Sequence, residues 1–293
     1  MLPFKLRYWI NDNLRFNGLS ANPAAIKILK ENLNKINWHL LSSNPEAIEI
    51  LKEHPDKIDW NILSSNPSAM ELLKKNQEKI NWTMLSANPA AIDLLKENLD
   101  KIDWFYLSAN PAAIEILKEY PHKIDWTVLS KNKNAIELLK ENPDKINWGI
   151  LSANPSAIEL LKKNPEKINW SILLYNHNAI ELLKTNKNKL NYVALSSNPG
   201  AIELLKENQE KISWHLLSSN PNAIELLKEN QNKINWTILS KNPSIFTYDY
   251  EKMQNLNQDL KEEIIATALN PSRLFKLIDE YGKYEVYKAY FEY

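Results

Sequence analysis

Imidazole is the side chain best suited to moving a proton or holding a metal near neutral pH, so the five histidines come first. His39, His54, His122, His177 and His215 are scattered, no pair has zinc-ligand spacing with a third ligand near it, and neither H-E-x-x-H nor G-x-S-x-G occurs. The absence of cysteine removes disulfides, iron–sulfur clusters, thiolate zinc sites and thiol nucleophiles. Four glycines are too few for most nucleotide-binding enzymes, whose phosphate loops use several in one motif. Lysine supplies 33 of the 36 basic residues, but 36 acidic residues balance them, which argues against a strongly basic nucleic-acid binder. The expectation is a chain with no catalytic residues, no cofactor and no metal.

What remains is repetition. Asparagine recurs every 22 residues at Asn22, Asn44, Asn66, Asn88, Asn110, Asn132, Asn154, Asn176, Asn198, Asn220 and Asn242, and proline follows it except at Lys133 and His177. Tryptophan recurs with the same period at Trp38, Trp60, Trp82, Trp104, Trp126, Trp148, Trp170, Trp214 and Trp236, with Tyr192 in the one remaining slot. Nine of the ten tryptophans are therefore one structural position copied. The unit reads N-P-x-A-I-E-L-L-K-E-N-x-x-K-I-[ND]-W-x-x-L-S-x.

Its first half predicts a short helix. Asn at the N-cap accepts an end amide, and Pro at the first helical position lacks the amide it would have left unpaired. Ala157, Ile158 and Leu161 then form an apolar face, with Glu159 and Lys162 outward and three apart. Asn164 ends this helix and, with Pro165, is read as capping a second one over Pro165–Leu173, where Ile168 and Ile172, and Trp170 and Leu173, have helical spacing. Lys-Ile-Asn-Trp also suits a short strand, and the Trp a local 3₁₀ turn. Helices of about eight to ten residues are unstable alone and must stack on their neighbours. The predicted fold is an all-α helical-repeat solenoid of right-stacked pairs of short helices. A leucine-rich horseshoe has a similar period, but its L-x-L-x-x-N spacing is not met, since Trp148 and Asn154 are six apart with Pro155 directly behind.

An open array needs covered ends. Residues 1–21 read as a degenerate N-terminal capping segment, 22–247 as the repeats and 248–293 as a helical C-terminal cap. In this last segment Asn255–Leu269 and an Asn270-Pro271 start signal point to helices, before an aromatic Tyr284–Tyr293 end. No stretch reaches the roughly 18 apolar residues of a membrane helix, and no signal peptide is read, so an intracellular protein without a membrane partner is expected.

The repeated slots favour structure over chemistry. Each Asn is read as a cap worth about 1 kcal/mol, and each Trp as packing between units. Two unbroken lysine rows, Lys30 to Lys228 and Lys35 to Lys233, run beside an acidic row from Glu49 to Glu225, so that opposite charges offset one another. The residue directly after each Trp varies freely and the next is always apolar. Among the variable slots Phe105, Tyr106 and Tyr175 stand out as possible partner contacts.

The N-P-x-A-I-x-L-L-K-x-N … W-x-x-L-S unit resembles the tandem repeats of many proteins from large DNA viruses of amoebae. The resemblance covers roughly residues 14–247, and the tail from Asn270 to Ile278 is similar to the closing segment of such proteins. It implies an architecture and a viral origin, not an activity. The function expected is a non-enzymatic protein-interaction scaffold engaging a host or virion protein, in the host cytoplasm or the virion. A self-associating virion component and a nucleic-acid binder using the lysine rows are the alternatives.

Overall fold

The computed structural model describes residues 4–10, 14–251, 253–254, 273–274, 276–277 and 286. By contacts the chain divides into a repeat body, Tyr8–Ile245, and a second unit made of Met1–Arg7 and Phe246–Tyr293. The helices expected over 255–282 and the aromatic end lie outside the described residues, apart from isolated positions. Among the described residues no helix is long and apolar enough to cross a membrane.

The repeat body is an all-α solenoid. In the unit beginning at Asn154, a 3₁₀ turn Pro155–Ala157 runs directly into the helix Ile158–Lys162. A second 3₁₀ turn, Pro165–Lys167, follows, and then the short helix Trp170–Leu173. Ala157, Leu161 and Leu173 are wholly buried and Ile168 nearly so. The second half is thus not the single helix that the spacing predicts. Ile168 and Asn169 are extended, at φ −70°, ψ 125° and φ −84°, ψ 96°. The Asn169 side chain accepts a 3.1 Å hydrogen bond from the Ile172 amide, capping a helix that starts afresh at Trp170. Asn164 also differs from expectation. It makes no N-cap bond; its Nδ2 donates back to the Leu160 carbonyl at 2.9 Å and closes the end of the first helix.

Two buried polar rows join neighbouring repeats. Asn154 accepts the Ser156 amide at 3.0 Å as the cap, and its Nδ2 donates to the Ser130 and Asn132 carbonyls of the preceding repeat at 3.1 and 3.0 Å. All eleven repeat asparagines donate to two such carbonyls, so the cap is also the joint. The serine before each variable last residue forms the second row. Ser108 Oγ donates to the Trp104 carbonyl at 2.7 Å and accepts the Asp125 amide of the next repeat at 3.0 Å. Ser108→Ala leaves that amide without its acceptor, and should cost about 1–2 kcal/mol in denaturant unfolding. One seam lacks the hydroxyl. Leu174 stands in the serine slot, and the following cap residue, Asn191, relaxes to φ −125° where its counterparts lie near −84°.

The array closes on itself. Asn22 Nδ2 donates to the Ser240 and Asn242 carbonyls at 3.2 and 3.1 Å, the bonds every other repeat makes to its predecessor. The Arg15 amide donates to Ser240 Oγ at 2.8 Å, repeating the serine row. The helix Phe16–Ser20 packs on Trp236–Leu239 as well as on Trp38–Ser42. Residues 16–21 are therefore a working part of the repeat body rather than a cap over an open end. Eleven steps that return to the start turn about 33° each, the small per-repeat rotation of a solenoid carried to a full circle.

Closure leaves one position short. The chain departs after the turn Pro243–Ile245, so ten helices that follow a repeat Asn accompany eleven Trp-type helices among the described residues. Ile26 and Ile224, on the helices either side of the missing one, are buried, while their eight counterparts are half-exposed. Tyr8 lies beneath Lys228 Nζ at 5.3 Å, and Trp9, the tryptophan outside the repeats, is buried with Ile10.

The second unit contains the only strands among the described residues, which the repeat pattern did not foretell. Strand β1 (Phe4–Leu6) pairs antiparallel with β2 (Phe246–Tyr248), with Lys5 opposite Thr247. The Phe4 and Tyr248 rings stack at 5.0 Å, and Lys5 Nζ lies 3.2 Å from Asp249.

Candidate functional site

The surface of the repeat body is built from rows, and most of each row is already engaged. The first lysine row pairs with the acidic row inside most of the helices, as Lys162 with Glu159 at 2.9 Å and Lys206 with Glu203 at 2.9 Å. The hydrogen bond to Lys162 and its charge hold Glu159 below the usual carboxylate pKa, and the same contacts with Glu203 raise Lys206. The second lysine row serves a different purpose. Lys79 lies 4.6 Å over the Trp60 ring, Lys101 4.5 Å over Trp82 and Lys167 4.3 Å over Trp148. These three tryptophans are half-buried, and each carries a cation from the next repeat.

Where this cover changes, the surface changes. Asn closes the first helix in most repeats, but His54 and Tyr120 replace it and set their rings against the preceding tryptophan, at 5.1 Å for Trp38–His54 and 5.3 Å for Trp104–Tyr120. The Trp104 repeat then adds Phe105, 53% exposed, and Tyr106, 37% exposed, with their rings 5.4 Å apart. Asp103 caps this helix, accepting the Phe105 and Tyr106 amides at 3.1 and 3.3 Å, and so fixes the backbone beneath both rings. Three residues on from Tyr106, Ala109 lines a groove of about 400 Å³ shared with Pro111, Lys131, Asn132, Lys133 and Pro155. Lys133 stands there in place of the repeat proline. Tyr175 is 57% exposed but lies three repeats further on, so the structure brings Phe105 and Tyr106 together and leaves Tyr175 apart.

The histidines do not converge. His39 Nδ1 lies 2.7 Å from Asp59 Oδ2, and His215 meets Asn235 at 3.0 Å, both on the edge between successive repeats. Partial burial works against the charged Asp59 carboxylate. The hydrogen bond with His39 and that from the Ile62 amide outweigh it, and the pKa falls below the ordinary value. Among the described residues no three His, Cys, Asp or Glu side chains gather in a way that could hold a metal ion. The contacts missed in the sequence were the serine row and the caps before each Trp. An invariant Asn, Asp or Ser directly ahead of Trp, as at Asn147 and Asp125, was the signal for the latter.

No protein-family model, no curated protein and no solved structure matches the chain.

Proposed function

We propose that the closed repeat body is a non-catalytic scaffold that binds a protein partner through the sector around Phe105 and Tyr106, with Tyr175 as a separate contact. The observation that carries this reading is the exposure of two adjacent aromatic rings, Phe105 and Tyr106, 5.4 Å apart on a surface where most tryptophan-row rings are covered by a lysine or another ring. Exposed aromatics on a fixed backbone are the side chains that most often dominate protein interfaces, because they bury much area at little entropic cost. The engaged lysine rows count against the nucleic-acid alternative: most of one is paired with glutamates and much of the other lies over rings. A host or virion partner, and a viral origin, rest on the resemblance of the repeat unit alone.

The test is comparative affinity capture from infected amoebae with the wild type and with the double variant Phe105→Ser, Tyr106→Ser, read by mass spectrometry. A protein enriched by the wild type and lost from the variant is the expected result. Equal enrichment by both, or nucleic acid without an enriched protein, would overturn the proposal.

A further inference from the structure

One edge of the repeat body carries the second 3₁₀ turn of each repeat, the cap before each Trp and the first residue after it. These form a continuous surface. His39 reaches the cap Asp59 of the next repeat, Asn81 donates to Asn61 at 3.0 Å, and the turn lysines lie over the preceding tryptophans.

The charge along this edge is uneven. In the turns and caps at residues 55–59, 77–81 and 99–103 there are five carboxylates and three lysines; at 143–147, 165–169 and 187–191 there are four lysines and two carboxylates. The asymmetry holds for whole sectors. Residues 44–109 contain eleven acidic and seven basic side chains, whereas the equally long 132–197 contains six acidic and nine basic. The sharpest contrast is at the turn Lys187–Lys189, where Lys-Asn-Lys stands in the slots occupied at residues 99–101 by Leu-Asp-Lys. Lys187 and Lys189 are exposed and make no ion pair with any described residue. The two sector centres are four repeats apart, about 130° around the circle at about 33° per step.

Each sector also exposes an apolar side chain in the same slot, directly after the Trp or its replacement. Phe105 in the acidic sector is 53% exposed, and Val193 beside the basic turn is 52% exposed. Both halves of a complementary surface are thus present on one molecule, on one edge and in matching slots. A foreign partner would need only one of them.

We infer that this edge docks a second copy of the chain, the acidic sector of one repeat body meeting the basic sector of the other, with Phe105 and Val193 among the apolar contacts. Opposite charge selects the register and speeds encounter, while the apolar side chains supply burial. The inference needs no foreign partner, and it is tested on the purified full chain alone, so its failure is separate from that of the scaffold reading.

The experiment is sedimentation velocity at low and high salt. Wild type should self-associate at low salt and weaken as salt rises. The variants Lys187→Glu with Lys189→Glu, and Asp56→Lys with Asp100→Lys, should each weaken self-association at least about tenfold, with circular dichroism confirming that both remain folded. An equimolar mixture of the two variants should associate like wild type, because each then offers the sector the other lacks. A wild type that stays monomeric at low salt, a variant that associates as wild type does, or a mixture that fails to recover association would each overturn the inference.

Discussion

Asn110→Ala is expected to destabilise the repeat body by about 3 kcal/mol, well beyond the cost of a lost helix cap. The Asn110 side chain is buried; it accepts the Ala112 amide at 3.0 Å and donates to the Ser86 and Asn88 carbonyls, each at 3.0 Å. Truncation removes the cap, worth about 1 kcal/mol, takes from the buried Ser86 carbonyl its Asn110 donor and leaves the Asn88 carbonyl with only the Ala91 amide at 3.1 Å, adding about 1–3 kcal/mol. Asn110→Asp separates the two roles. It keeps the capping oxygen but turns the donor into a second acceptor facing two carbonyl oxygens, so it should be at least as damaging as alanine at neutral pH. Chemical denaturation of both variants is the measurement. A loss near 1 kcal/mol for alanine, with aspartate close to wild type, would show that the side chain is only a cap.

The second large effect concerns the seam where the two ends of the array meet. Gly18 occupies the slot held by Ile62 or Ile150 in other repeats, but a Cβ there would come within 2.5 Å of the Ser240 Cβ and about 3.0 Å of its backbone carbon. Gly18→Ile, which restores the residue type usual in that slot, should therefore destabilise by about 2–3 kcal/mol through overpacking against backbone that has little room to retreat. The loss should be local at first. Native-state hydrogen exchange should show the Arg15 amide, bonded to Ser240 Oγ, losing protection before the Asp125 amide, bonded to Ser108 Oγ. Equal loss at both would place the damage in the body at large rather than at the seam.

Much of this architecture is legible in the residues. Asn followed by Pro at a fixed period announces helix starts because cap chemistry is local, and glutamate three residues ahead of lysine pairs as helical geometry requires. The break between Ile168 and Trp170 was also written in the chain, as the capping residue before each Trp, but the spacing of Ile168, Trp170 and Ile172 imitates a continuous helix and hides it. The serine row is less visible. A serine near a helix end reads as ordinary turn chemistry, and only the stacking of repeats shows that it accepts an amide 17 residues on. Closure lies furthest from the sequence. It depends on a small rotation summed over the whole array, which no single unit encodes, and its local trace is Gly18, where the other repeats carry alanine or a larger apolar side chain. Exposure of Phe105 and Tyr175 follows from their variable slots; Tyr106 stands in a slot that is apolar throughout, and its exposure and the distance from the pair to Tyr175 emerge only in the fold.

Genes with identical short repeats gain and lose copies by slippage during replication, and an open solenoid tolerates this, growing or shrinking by a unit with the same end faces. A closed one does not. Ten or twelve copies would ask each joint for about 36° or 30° instead of about 33°, and the Asn22 side chain would have to find its two carbonyls across a gap or through a collision. The bonds from Asn22 to Ser240 and Asn242 thus act as a counting device. They tie the closed repeat body to eleven steps.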